Sequence, residues 1–156
     1  MFLCVNLDEF DKEKLLINNK IRNNIITNSF FYRLYYSDND FISNGVVLVF
    51  KINDIYFEKY FNKNKLLFDE KKNTSVIKKM NDMEFALLDS LNINKKKKYL
   101  IKEQLDNNYL KIINDKNVSL EKTDICNVII KISGIWESKT EYGLTFRCIK
   151  TERKMN

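Results

Sequence analysis

The chain has 156 residues, enough for one ordinary domain to bury a core without a disulfide or a metal. Its 44% hydrophobic and 13% aromatic content argues against disorder, and 27 basic residues against 21 acidic ones leave a formal charge of +6. The absence of His excludes a serine or cysteine triad and an imidazole base, and three glycines are too few for a phosphate-cradling loop.

In chain order, Leu3, Val5 and Leu7 alternate with Cys4, Asn6 and Asp8, which predicts a short strand. This first stretch meets Asp8 and Glu9 at once, so it lacks the basic and long apolar regions of a secretory signal. Over residues 11–26, Leu15, Leu16, Ile17, Ile21 and Ile25 stand among Asn and Lys, a pattern that fits either a helix or an irregular segment. No repeat and no Ser/Gly/Pro linker divides the chain, so residues 1–156 read as one domain, with 1–28 a candidate peripheral segment.

Residues 29–36 are aromatic and read as a strand, closed by the turn chemistry of Ser37, Asp38, Asn39 and Asp40. Residues 45–52 read as a second strand, apolar on both faces and antiparallel to the first across residues 37–44. The run Val46, Val47, Leu48, Val49, Phe50 is the longest strictly apolar one and is far too short to span a bilayer. Asn53 and Asp54 mark another turn, and residues 55–68 mix aromatic and basic side chains.

Val76, Ile77, Met80, Met83, Leu87, Leu88 and Leu91 recur at spacings of three and four, which predicts a helix over about 74–92. Thr74 or Ser75 would cap it and Asn92 would stop it. Lys95, Lys96, Lys97 and Lys98 follow. Residues 99–104 and 109–113 flank Asp106, Asn107 and Asn108 and read as a hairpin, and residues 118–120 form a short apolar piece. Residues 126–133 are a β-branched run, residues 137–141 a polar connection, and residues 142–149 a strand in which Leu144, Phe146 and Cys148 alternate with Thr145, Arg147 and Ile149. That is an antiparallel pair with one apolar face.

Asn, Lys, Ile, Phe and Tyr are abundant while Pro, Ala and Gly are scarce, as expected of an AT-rich genome such as that of a large DNA virus, a mollicute or an apicomplexan. Such a genome favours lysine codons, so the charge points to nucleic acid only where the cations share a face. Cys4, Cys126 and Cys148 are isolated and odd in number, which predicts a reduced, intracellular protein, in host cytoplasm or nucleus if viral. Without His there are too few ligands for a usual structural zinc site, and no metal or cofactor is expected.

The most informative stretch is the C-terminal pair. Lys131, Arg147 and Lys150 accompany Trp136 and Tyr142 near its turn, the ingredients for single-stranded nucleic acid: rings stack on bases and cations track phosphates. The plainer reading places both rings in the core. Lys95, Lys96, Lys97 and Lys98 would contact phosphates, or else form a solvated run that offsets the dipole of the preceding helix. Lys63 and Lys65 lie near Tyr56, Phe57, Tyr60 and Phe61 and repeat the mixture, with most of those rings expected in the core.

Residues 128–150, VIIKISGIWESKTEYGLTFRCIK, resemble the terminal hairpin of single-stranded DNA-binding proteins of DNA viruses and phages. Gly134, Trp136, Tyr142, Gly143, Leu144 and Phe146 carry the resemblance, which covers about a seventh of the chain. It implies an OB-type β-barrel with inserted helices and a role in coating single-stranded DNA during replication or recombination. Many phage members end in an acidic tail that recruits the replication machinery. This sequence ends in the basic TERKMN, so the resemblance carries no such recruitment.

Acidic residues offer less. Asp38, Asn39 and Asp40 begin like a calcium loop, but Ser43 stands where the loop needs Gly and Val49 where it needs a bidentate Glu. The pairs Asp8–Glu9 and Asp69–Glu70 read as solvated. The expectation is therefore an α+β domain with an OB-like antiparallel β-barrel or curved sheet and one main inserted helix. It would bind single-stranded nucleic acid, DNA by the resemblance, without enzymatic activity. The alternatives are a protein–protein interaction module, of viral host-binding or virion-associated type, and a divergent nuclease with acidic side chains converging in one cleft. Self-association or a protein partner fits either binding reading, and no membrane is implied.

Overall fold

A computed structural model describes residues 4–60, 63–113 and 123–151. In chain order, β1 (Val5–Asn6) leads through two single-turn 3-10 helices (Leu7–Glu9 and Lys12–Lys14) to β2 (Leu15–Ile17) and β3 (Ile21–Arg22). The pair β4 (Phe30–Asp38) and β5 (Phe41–Asn44) precedes β6 (Val46–Tyr60) and β7 (Lys63–Leu67). A 3-10 turn (Glu70–Lys72) then opens α1 (Thr74–Asp89), followed by β8 (Lys96–Lys98), α2 (Leu100–Asp106) and β9 (Tyr109–Ile112). The long strands β10 (Thr123–Glu137) and β11 (Glu141–Thr151) end the described chain.

Five strands close on themselves in the hydrogen-bonded order β6-β7-β9-β11-β10, with β10 pairing back to β6. The result is a closed five-stranded barrel with two helices, an α+β architecture. Closure satisfies the backbone groups that an open sheet would leave at its edges. Every neighbouring pair in the barrel is antiparallel except β9–β11.

Two 15-residue strands make the closure possible because each changes partner along its length. β6 pairs with β10 up to Ile55 and with β7 from Tyr56. Between those halves Asp54 adopts a φ of 51°, so Ile52 and Ile55 both point inward although three residues apart. The predicted turn at Asn53 and Asp54 is thus a kink inside one continuous strand. β10 pairs with β6 up to Ile132 and with β4 from Gly134, with a bulge between those residues. The extra residue reverses the facing rule. Val128, Ile130 and Ile132 point inward before it, and Ile135 and Glu137 after it.

α1 buries Met80, Met83, Leu87 and Leu88, and α2 buries Ile101 and Leu105, all in the same core as the barrel residues Leu48, Phe57, Leu66, Leu110, Ile130 and Leu144. Two buried polar side chains fix the helices. Glu84, fully buried on α1, accepts hydrogen bonds at both carboxylate oxygens from the Ile101 and Lys102 backbone N–H, each 2.9 Å long, and so caps the first turn of α2. Burial pushes the Glu84 carboxyl pKa up, and these two bonds oppose that rise. Asn73 accepts from Asn53 N–H at 2.7 Å and donates to the Asn53 carbonyl at 3.0 Å and the Asp69 carbonyl at 2.9 Å, tying the start of α1 to the β6 kink.

Several local expectations change. The N-cap of α1 is Asn73, not Thr74 or Ser75, and the helix ends at Asp89. The strand of residues 45–52 does not pair with the aromatic strand before it. β5 takes that place through the turn at Asn39 and Asp40, because barrel closure draws β6 to β10. Residues 99–104 belong to a helix, not to a hairpin arm: Ile101 and Leu105, four apart, face the core and Glu84 supplies the cap. Residues 11–26 hold a 3-10 turn and the short strands β2 and β3, both paired with β4. The apolar piece at 118–120, Leu3 and Phe61 lie outside the described residues.

Candidate nucleic-acid interface

Register and burial together fix what shares the outer surface of the β4–β10–β11 sheet. Along β4, Leu34 and Tyr36 are buried, so Phe31, Arg33 and Tyr35 face outward. Phe31 stands opposite Trp136, and Trp136 opposite Gly143. The next row is Arg33, Gly134 and Thr145, and the row beyond the bulge pairs Lys131 with Arg147. Cations and rings thus occupy consecutive rows of one face.

Two of the three glycines make this arrangement possible. A Cβ on Gly143 would sit 2.8 Å from Cζ2 and 3.1 Å from Cε2 of Trp136, so the indole lies directly on the Gly143 backbone. A Cβ on Gly134 would overlap the Phe31 ring and the Tyr32 carbonyl oxygen, so that ring lies on Gly134 in the same way. Each glycine provides a flat bed on which a neighbouring ring rests against the sheet. Trp136 and Phe31 remain half-buried, outside the core cluster.

Other predicted site residues are placed differently. Tyr142 is 1% exposed and points into the barrel, because its parity on β11 is that of Leu144 and Cys148. It cannot stack a base; this corrects the expectation. Lys95 is committed to a buried group: its Nζ lies 2.6 Å from Glu137 Oε2 and donates to the Ser138 carbonyl at 2.9 Å. Glu137 also accepts from the Tyr32 hydroxyl at 2.7 Å. Burial raises the Glu137 pKa, but the hydrogen bonds from Lys95 and Tyr32 and the Lys95 charge outweigh it and hold it below the usual value. The Tyr32 phenol is pushed up to about 12, by burial first and then by its bond to Glu137.

The lysine run is therefore not a solvated loop. Lys96, Lys97 and Lys98 form β8, parallel to β11, with Lys97 bonded to Asp89 and Lys98 3.9 Å from Glu103. Only Lys98 falls in the row of Gly143 and Trp136. Lys150 pairs through its backbone with Val128, and its side chain lies outside the described part. Of the second mixture, Phe57 is buried and Tyr56 exposed. Lys65 lies 4.5 Å from the centre of the Tyr109 ring and opposite Lys111, a smaller basic patch on β7 and β9.

Phe31, Arg33 and Tyr35 were not read from the sequence as site residues. The signal was present in the charge of Arg33: an arginine inside an aromatic strand marks the outward parity, and its neighbours two residues away share it.

Among the described residues, no group of three or more Cys, Asp and Glu side chains could hold a metal, and no helix is long and apolar enough to cross a membrane. The chain matches no protein-family model, no curated protein and no solved structure.

Proposed function

We propose that the protein binds single-stranded nucleic acid, without catalysis, on the outer face of the β4–β10–β11 sheet of an OB-type barrel. One observation carries the reading: Phe31 and Trp136, bedded on glycines, share that face with Arg33, Lys131 and Arg147. Rings resting on a sheet beside cations suit a strand whose bases stack while its phosphates pair, a mode that tolerates any sequence. The five-stranded closure is compatible with an OB-type barrel, a fold used for oligonucleotides. Base stacking contributes about 1–3 kcal/mol per base, and each phosphate contact adds salt dependence. DNA over RNA rests on the hairpin resemblance, as does a role in replication or recombination in a viral or other AT-rich setting.

The test is fluorescence anisotropy with labelled single-stranded and duplex oligonucleotides across a salt series, with Trp136 emission followed in the same titration. Single-strand preference, a steep salt slope and Trp136 quenching are expected. Absence of binding at low salt would remove the reading.

A second reading, a protein-interaction module, is favoured by the tip of the β4–β5 hairpin, where Phe41 is 59% and Ile42 67% exposed. It predicts that Phe41→Ser/Ile42→Ser leaves oligonucleotide binding intact while abolishing association with a protein partner in pull-down.

A further inference from the structure

The outer face does not end at Lys131 and Arg147. Two residues further along the strands, Ile129 stands between Val49 and Ile149, an apolar row. Two residues beyond that, Asn127 stands opposite Lys51. There the sheet runs into a cleft of about 500 Å³ between β1, β6 and the start of α1. Asn127 and Lys51 line it, together with Asn6, Ser75, Lys72 and Lys79. Its three lysines come from three separate elements and outnumber the single lining carboxylate, Asp8. Lys79 is bonded to Asp8 and Lys72 to Asp54. Lys51 is exposed and has no ion-pair partner among the described residues.

We infer that this cleft receives backbone phosphates of the same single strand and forms the far end of its path. This inference rests on the single-strand reading above. From Trp136 to Asn127 the path runs roughly 30 Å along β10. It alternates in chemistry: rings, then the Lys131–Arg147 pair, then the apolar row, then the lysine cleft. A strand laid along it keeps its bases or sugars over apolar rows and its phosphates over cationic ones. The Asn and Ser side chains at the cleft can donate to phosphate oxygens between the lysines.

The experiment compares oligothymidylates shorter and longer than this span on the wild type and on a Lys51→Gln/Lys72→Gln/Lys79→Gln variant. Circular dichroism and a melting curve check the fold of the variant. Lys51→Glu alone serves as the second variant, since Lys51 breaks no ion pair. The variant is expected to bind short oligomers as the wild type does, with the same Trp136 quenching. For long oligomers it should lose about tenfold in affinity, and its salt slope should fall by about 2, the effect of three phosphate contacts on a single strand. Wild-type slopes for long oligomers in both variants, with quenching retained, would overturn the inference and leave the nucleic-acid reading standing. Saturation of the cleft by pyrophosphate with no effect on long oligomers would also overturn it, as a separate anion site. A wild type that binds no oligomer overturns the parent reading, and the inference with it.

Discussion

Gly143 and Gly134 are the residues on which the outer face depends. A Cβ on Gly143 would lie 2.8 Å from both the Trp136 ring and the Lys98 carbonyl oxygen. Gly143→Ala must therefore lift the indole or shift β8. The expected cost is about 1–3 kcal/mol of stability, typical of overpacking, with a shifted Trp136 emission maximum. A melting curve and an emission spectrum check both. Glu137 sets a pH dependence. Its folded-state pKa lies below the ordinary 4.5, so its contribution is fully present above 4.5 and is lost as pH falls through the lowered value. Glu137→Gln should cost about 1–3 kcal/mol at neutral pH, and the gap from wild type should close in urea titrations run below pH 4.5. Tyr142 and Trp136 separate core from surface. Tyr142→Ala should destabilise by about 3–5 kcal/mol, as loss of a buried aromatic does, whereas Trp136→Ala should spare stability and weaken oligonucleotide binding.

At the scale of the element, the bulge between Ile132 and Gly134 decides which rings are inside. Deleting Ser133 would restore plain alternation, turning Trp136 inward and the Glu137 carboxylate outward. The deletion variant should lose cooperative unfolding and expose apolar surface, read by a dye such as ANS. A normal melting transition with Trp136 still quenched by oligonucleotide would contradict this role for the bulge. The helices show the reverse dependence. The apolar spacing of α1 was readable directly, but α2 was not, because its seven residues carry too little periodicity and its cap comes from Glu84 on another helix. The 126–133 and 142–149 strands were readable as an antiparallel pair because alternation is local.

For the molecule as a whole, closure is the main fact. The barrel encloses Cys148, which is 1% exposed, and burial pushes its thiol pKa up to about 12. Its labelling by a thiol reagent should therefore follow the global unfolding transition rather than local opening. Labelling of Cys148 well before the loss of barrel circular dichroism would show that β11 opens on its own.

The sequence by itself determined the main helix, the terminal strand pair, the basic–aromatic composition of that pair and the lack of imidazole chemistry. Each of these depends on residue type and short-range spacing. Only the tertiary structure decided that β6 closes on β10, that Tyr142 is core while Trp136 lies on the surface, that Lys95 serves Glu137, and that Phe31 and Arg33 join the outer face. Those outcomes depend on partners up to about a hundred residues apart, such as Tyr32 and Glu137, and on one extra residue in a strand, which inverts the facing of every side chain after it.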